Sequence, residues 1–164
     1  MDGVTGSDAS GTESGRKPIS KIVVVCIVIS VVILIGVGLM YYFGDREPVV
    51  VLFNDHMQIR AMYGLRVDFD DVSNVSLIEG DLRNIGVGNR TNGYSGFSGI
   101  WKGNFDTWDF GVALFFVQSR GTPTIHIKRD DAKDIFVNFS DSEETMTLFY
   151  NLDLALRRFR GPFT

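Results

Sequence analysis

Residues 22–43 read IVVVCIVISVVILIGVGLMYYF, twenty-two consecutive positions without a charged side chain. As a helix rising 1.5 Å per residue, this run spans about 33 Å, enough to cross a hydrocarbon core of about 30 Å with slight tilt. A helix apolar on every side otherwise needs a large protein to bury it, and only about 120 residues follow. The sequence therefore predicts one N-terminal transmembrane helix over residues 22–43, with the lipid bilayer as its partner. Tyr41, Tyr42 and Phe43 then form an aromatic belt at one interface.

Working outward, residues 1–21 are rich in Gly, Ser and Thr and hold almost nothing that can build a core, which predicts a disordered tail. Arg16, Lys17 and Lys21 precede the apolar run, whereas Arg46 follows it alone between Asp45 and Glu47. Basic flanks stay in the cytoplasm, so the N-terminus is expected inside and the C-terminal part on the extracytoplasmic side of the cell membrane. A cleaved signal peptide competes, because Gly36-Val37-Gly38 supplies small residues, but the apolar run continues through Phe43. The single cysteine, Cys26, lies inside the run, so the remainder has neither disulfide nor thiol cluster and must be stabilised by packing.

Residues 48–160 make up one domain's worth of chain. Residues 44–156 carry ten Lys/Arg against seventeen Asp/Glu, an acidic body that argues against nucleic acid and against a generally anionic membrane face as main partner. Short apolar or alternating runs divided by turn residues predict strands at 49–53, 57–61, 65–69, 75–79, 98–105, 111–118, 124–128 and 134–139. Residues 81–99, dense in Gly and Asn, are expected to form a loop. After Ser140 and Glu143, paired as a capping box, Leu148, Phe149, Leu152, Ala155, Leu156 and Phe159 recur at helical spacing until Gly161-Pro162. The predicted class is mainly β: a small barrel of about seven strands closed by a C-terminal amphipathic α-helix.

That order of parts resembles a pleckstrin-homology (PH) fold. More narrowly, RTNGYSGFSGIWKGNFDTWDFGVALFF (90–116) is similar to bacterial PH-domain proteins, with a Gly-rich RxNG segment, a G-x-F step and an apolar strand; MYGLRVDFDDVSNVSLI (62–78) and TIHIKRDDAKDIFVNF (124–139) fit the same pattern. The resemblance implies a PH-like barrel joined to a membrane helix and used as a recognition scaffold of undefined role. A phosphoinositide site is not carried over, because the first hairpin offers Asn54, Asp55 and His56 with Arg60 alone.

Candidate chemistry is sparse. Residues 68–79 (DFDDVSNVSLIE) place acidic or amide side chains at several calcium-loop positions, but Ser73 stands where the turn needs Gly, and strands are expected on both sides. His56 and His126 sit in neither a metal nor a nucleophile motif. No catalytic residue, metal or cofactor is expected. Asn74, Asn89 and Asn138 each begin an N-x-Ser/Thr sequon. Trp101, Phe105, Trp108 and Phe110 are too many rings for alternation to bury, and an exposed aromatic beside a Gly-rich loop makes a binding edge. Arg90, Tyr94, Phe97, Trp101 and Trp108 are the candidate ligand contacts. The expected function is a membrane-anchored, non-enzymatic interaction module for a membrane-protein, peptide or glycan partner. The alternative is a structural accessory subunit of a membrane enzyme or transporter.

Overall fold

A computed structural model describes residues 20–96 and 99–161. The predicted tail at 1–19 lies outside them. The chain divides into two compact units, Met1–Val37 and Gly38–Thr164.

Helix α1 runs Lys21–Gly44, so Lys21 belongs to the helix rather than to the tail. Its most apolar window has a mean hydropathy of 3.4, and none of that window is buried against protein. A buried core helix is therefore excluded, and the helix is long and apolar enough to cross a bilayer, a property that signal sequences near an N-terminus share.

Among the described residues, the second unit holds nine strands in two sheets and one further α-helix. Strands β1 (Val49–Leu52), β2 (His56–Arg60) and β3 (Leu65–Asp68) pair antiparallel in that order. Strands β4 (Val72–Ile78), β5 (Val87–Ser95), β6 (Trp101–Thr107), β7 (Gly111–Val117), β8 (Thr124–Arg129) and β9 (Ile135–Val137) form a six-stranded sheet ordered β4-β8-β9-β7-β6-β5. The expected seven-stranded barrel is corrected here to a mixed α/β fold with two open sheets. Closure fails because β4 and β5 are the two edges of the large sheet and do not pair with each other. The last three strands are not successive hairpins either: β9 inserts between β7 and β8 and runs parallel to β7. Its residues Ile135, Phe136 and Val137 are all buried, and an unbroken apolar run suits a strand covered on both faces.

The strand β5 occupies much of the expected loop at 81–99. Gly93 and Gly103 face one another across the β5–β6 pair. A Cβ on Gly93 would lie 2.3 Å from the Lys102 carbonyl oxygen, and Gly103, at φ +108°, would put one 2.6 Å from the Asn92 carbonyl oxygen. Glycine here permits close backbone approach rather than a loop.

One core lies between the two sheets and helix α2 (Ser142–Arg160), where Met57, Ile59, Val67 and Phe69 meet Phe116, Ile125, Ile127, Val137, Leu148, Leu152 and Leu156. The predicted apolar stripe of α2 faces this core, but the cap differs from expectation. Asp141, not Ser140, is the N-cap and accepts the Glu143 N–H at 2.9 Å, since a carboxylate at that position also complements the helix dipole. A second cluster covers the opposite face of the large sheet, with Phe105, Phe115 and Phe136 packed beneath Leu82. Leu82 belongs to the segment that connects the two edge strands, so that connection helps to cover this aromatic face, together with Ile78, Val87, Trp101 and Phe110.

Candidate functional site

The candidate ligand contacts do not form one site. Trp101 and Trp108 stand at opposite ends of β6, about 20 Å apart along a strand rising 3.3 Å per residue. Trp101 is half-buried against Phe105 and Phe115 at centroid distances of 5.8 and 6.0 Å, with the Arg120 guanidinium 5.3 Å from its ring. Arg90 is exposed on β5, opposite Phe105. Tyr94 is buried, and Phe97 lies outside the described residues.

Trp108 is different. It is 87% exposed in the β6–β7 turn, and its indole lies against Gly86, where a Cβ would come within 2.8 Å of the ring. The turn is fixed from below: the Trp108 N–H donates to the Gly86 carbonyl at 3.1 Å, and the Thr107 hydroxyl accepts the Phe110 N–H at 3.1 Å while donating to the Gly111 carbonyl at 2.8 Å. Asp106 and Asp109, both exposed, lie on either side of Trp108 in sequence. An aromatic face held outward with acidic neighbours can stack on an apolar or sugar face and accept hydrogen bonds around it.

At the other end of β6 the side chains bind the chain's own linker. Lys102 is fully buried, and its ammonium donates to the Gly44 carbonyl at 2.6 Å and to the Arg46 carbonyl. Gly44 ends helix α1, so this cation satisfies a terminal carbonyl and complements the dipole. The Tyr94 hydroxyl donates to Asp45 Oδ1 at 2.6 Å, the Gln118 amide to the Asp45 carbonyl at 2.6 Å, and Ser140 N–H to Glu47 Oε1 at 3.0 Å. Burial pushes the Lys102 ammonium down to about 8, against the opposing pull of Asp45 and Glu47. Burial, with the hydrogen bond to Asp45, pushes the Tyr94 phenol up to about 12. Sequence reasoning missed Lys102, because a lysine alternating with Trp101 and Gly103 reads as solvent-facing.

Two clefts adjoin these elements. One, of about 560 Å³, lies beside the linker and is lined by Phe43, Arg46, Glu47, Val49, Arg60, Ala61 and Met62. The other, of about 300 Å³, lies between the β1–β2 turn and α2, with Phe53, Asn54, Asn151, Leu154 and Arg158 in its walls.

The structure also aligns three residues that the sequence leaves apart. His126 Nε2 lies 2.8 Å from Asp134 Oδ2, and Nδ1 lies 3.5 Å from the Ser76 hydroxyl. Ser76 is the cross-strand partner of His126, so the row follows from sheet register. The imidazole is stacked on Phe136 at 4.7 Å with Phe110 at 4.6 Å, and the serine contact is at the outer limit of a hydrogen bond. This is the geometry of a cross-strand structural pair rather than of an activated nucleophile.

Residues 68–79 do not form an ion-binding loop. Phe69–Asp71 make one tight helical turn and Val72–Ile78 extend as β4, spreading the oxygens along a strand. Among the sequons, Asn74 and Asn89 are exposed. Asn138 is fully buried: its amide donates to the Ser119 carbonyl at 2.6 Å and the Thr124 hydroxyl at 2.8 Å, and its Oδ1 accepts the Gln118 N–H at 2.8 Å. That asparagine is closed to glycan transfer in the folded domain. Searches against protein-family models, curated proteins and solved structures find no match to this chain.

Proposed function

We propose that this chain is a membrane-anchored, non-enzymatic interaction module of PH-like type, with α1 retained as a single-pass anchor, the N-terminus cytoplasmic and the β-rich domain extracytoplasmic. The observation that carries the binding role is Trp108, whose ring is held outward by a hydrogen-bonded turn and stays 87% exposed although it rests on Gly86. Its ligand is a protein, peptide or glycan segment that lays an apolar face on the indole and donates hydrogen bonds to Asp106 or Asp109. The bonds from Lys102, Tyr94 and Gln118 to residues 44–46 support the anchoring half of the reading, because they fix the linker to the domain. The test is capture by the full chain on peptide and glycan arrays. Trp108→Ala is expected to reduce capture at least about tenfold without lowering the melting temperature; capture that survives the substitution contradicts the reading.

A second reading, a structural subunit of a membrane enzyme or transporter, is favoured by α2. Tyr150 and Leu154 are both exposed on it, and Leu154 shares the smaller cleft's wall with exposed Phe53. A stoichiometric partner that co-purifies after mild detergent extraction and is lost on Leu154→Asp supports the subunit.

A further inference from the structure

We infer that the cleft beside the linker is a binding site for the phosphodiester headgroup of a bilayer phospholipid. The inference rests on the anchoring reading above and adds a ligand to it. Phe43, whose ring belongs to the last turn of α1, forms one wall, and Val49, Ala61 and Met62 complete an apolar lining. If α1 spans the bilayer, Phe43 stands at the interface, so the cleft opens at the depth where headgroups lie. Its volume of about 560 Å³ is that of a small-molecule site.

The charge in the cleft suits a phosphate. Arg46 and Arg60 both line it, and among the described residues neither forms an ion pair. Arg46 is also oriented: it donates to the Tyr42 hydroxyl, and its guanidinium lies 4.4 Å from the Tyr42 ring centroid and 5.6 Å from that of Phe43. A guanidinium laid on interfacial rings keeps its remaining N–H donors for an anionic oxygen, where a bidentate contact is strongest. Glu47 is the only carboxylate in the lining, and it already accepts the Ser140 N–H. The acidic body of the domain disfavours a broad electrostatic membrane contact, whereas this pair of arginines sits where the chain leaves the apolar helix. At the tip of the β2–β3 hairpin, next to Met62, Tyr63 is exposed and holds a left-handed backbone at φ 68°. An aromatic and a thioether at that tip match the amphipathic surface presented to an interface.

The experiment is native mass spectrometry of the full chain, released in mild detergent from nanodiscs containing phosphatidylglycerol. The wild type is compared with Arg46→Gln/Arg60→Gln and with Arg83→Gln/Arg157→Gln, which removes the same charge elsewhere. Retained phospholipid is expected to fall about tenfold in the first double variant and to be unchanged in the second. If the first double variant melts early, Arg60→Gln alone, at an exposed strand position, is expected to show a smaller loss in the same direction. Equal retention by the wild type and the cleft variant overturns the site, and displacement of the lipid by inorganic phosphate alone overturns the bilayer as its source. A chain that leaves the bilayer in alkaline carbonate overturns the anchoring reading together with the ligand, whereas a chain that stays but keeps its lipid in the variant overturns the cleft alone.

Discussion

The two ends of β6 carry the same residue type and do opposite things with it. At the start of the strand, Trp101 is half-buried on Phe105 and Phe115 beneath Arg120, next to a fully buried Lys102 that holds the linker. Just past its end, Trp108 rests on a glycine and meets solvent. Burial within a strand follows from alternation against the neighbouring strands, but a turn residue takes its surroundings from whatever crosses beside it. Here Gly86 crosses beside Trp108, and a residue without a side chain supports a ring without covering it.

Phe105→Ala removes the buried ring that supports the Trp101 end and is expected to cost about 3–5 kcal/mol, read as a shift in the urea midpoint. Trp101→Ala, at a half-buried position with a cation over the ring, is expected to cost about 2 kcal/mol by the same measurement.

Alkaline pH acts on the linker end through Lys102 and Tyr94. With the folded pKa of Lys102 at about 8, below the ordinary 10.5, the unfolded chain binds the extra proton between those values, so stability rises with pH through that window by an amount on the order of 2 kcal/mol after allowance for solvent screening. Tyr94 reverses the trend: its folded pKa of about 12 lies above the ordinary 10.0, so the folded chain binds the extra proton and stability falls from pH 10 upward. Urea midpoints across this range are expected to peak near pH 10, and in Lys102→Met the rising limb disappears. Tyr94→Phe, which loses only the hydroxyl donated to Asp45, is expected to cost about 1 kcal/mol and to flatten the falling limb.

Much of the architecture was legible. The apolar run at 22–43, the alternating strands of the first hairpin and the stripe Leu148, Leu152 and Leu156 each carry their own period, and each folds as that period requires. What was not legible depends on pairing across the sheet. β5 reads as loop because its glycines signal flexibility, yet Gly93 and Gly103 are there to let two backbones touch. The insertion of β9 between β7 and β8 opens the expected barrel, and short apolar runs do not reveal their neighbours. At the candidate site, the excess of rings pointed to an exposed aromatic, and Trp108 is one. Nothing local distinguishes it from Trp101, because the difference lies in Gly86 and Arg120, far away in sequence. Lys102 was hidden for the same reason: its partners are backbone carbonyls at the end of another element.

The melting temperature of full-length Trp108→Ala, set beside that of Trp101→Ala, separates a free binding face from a packed ring. Trp108→Ala is expected to change stability by less than about 0.5 kcal/mol and so to leave the transition in place, while Trp101→Ala lowers it by roughly 10 °C. Two variants that melt together, both far below the wild type, would make Trp108 a packing residue and contradict the assignment of a free binding face at that end of the strand.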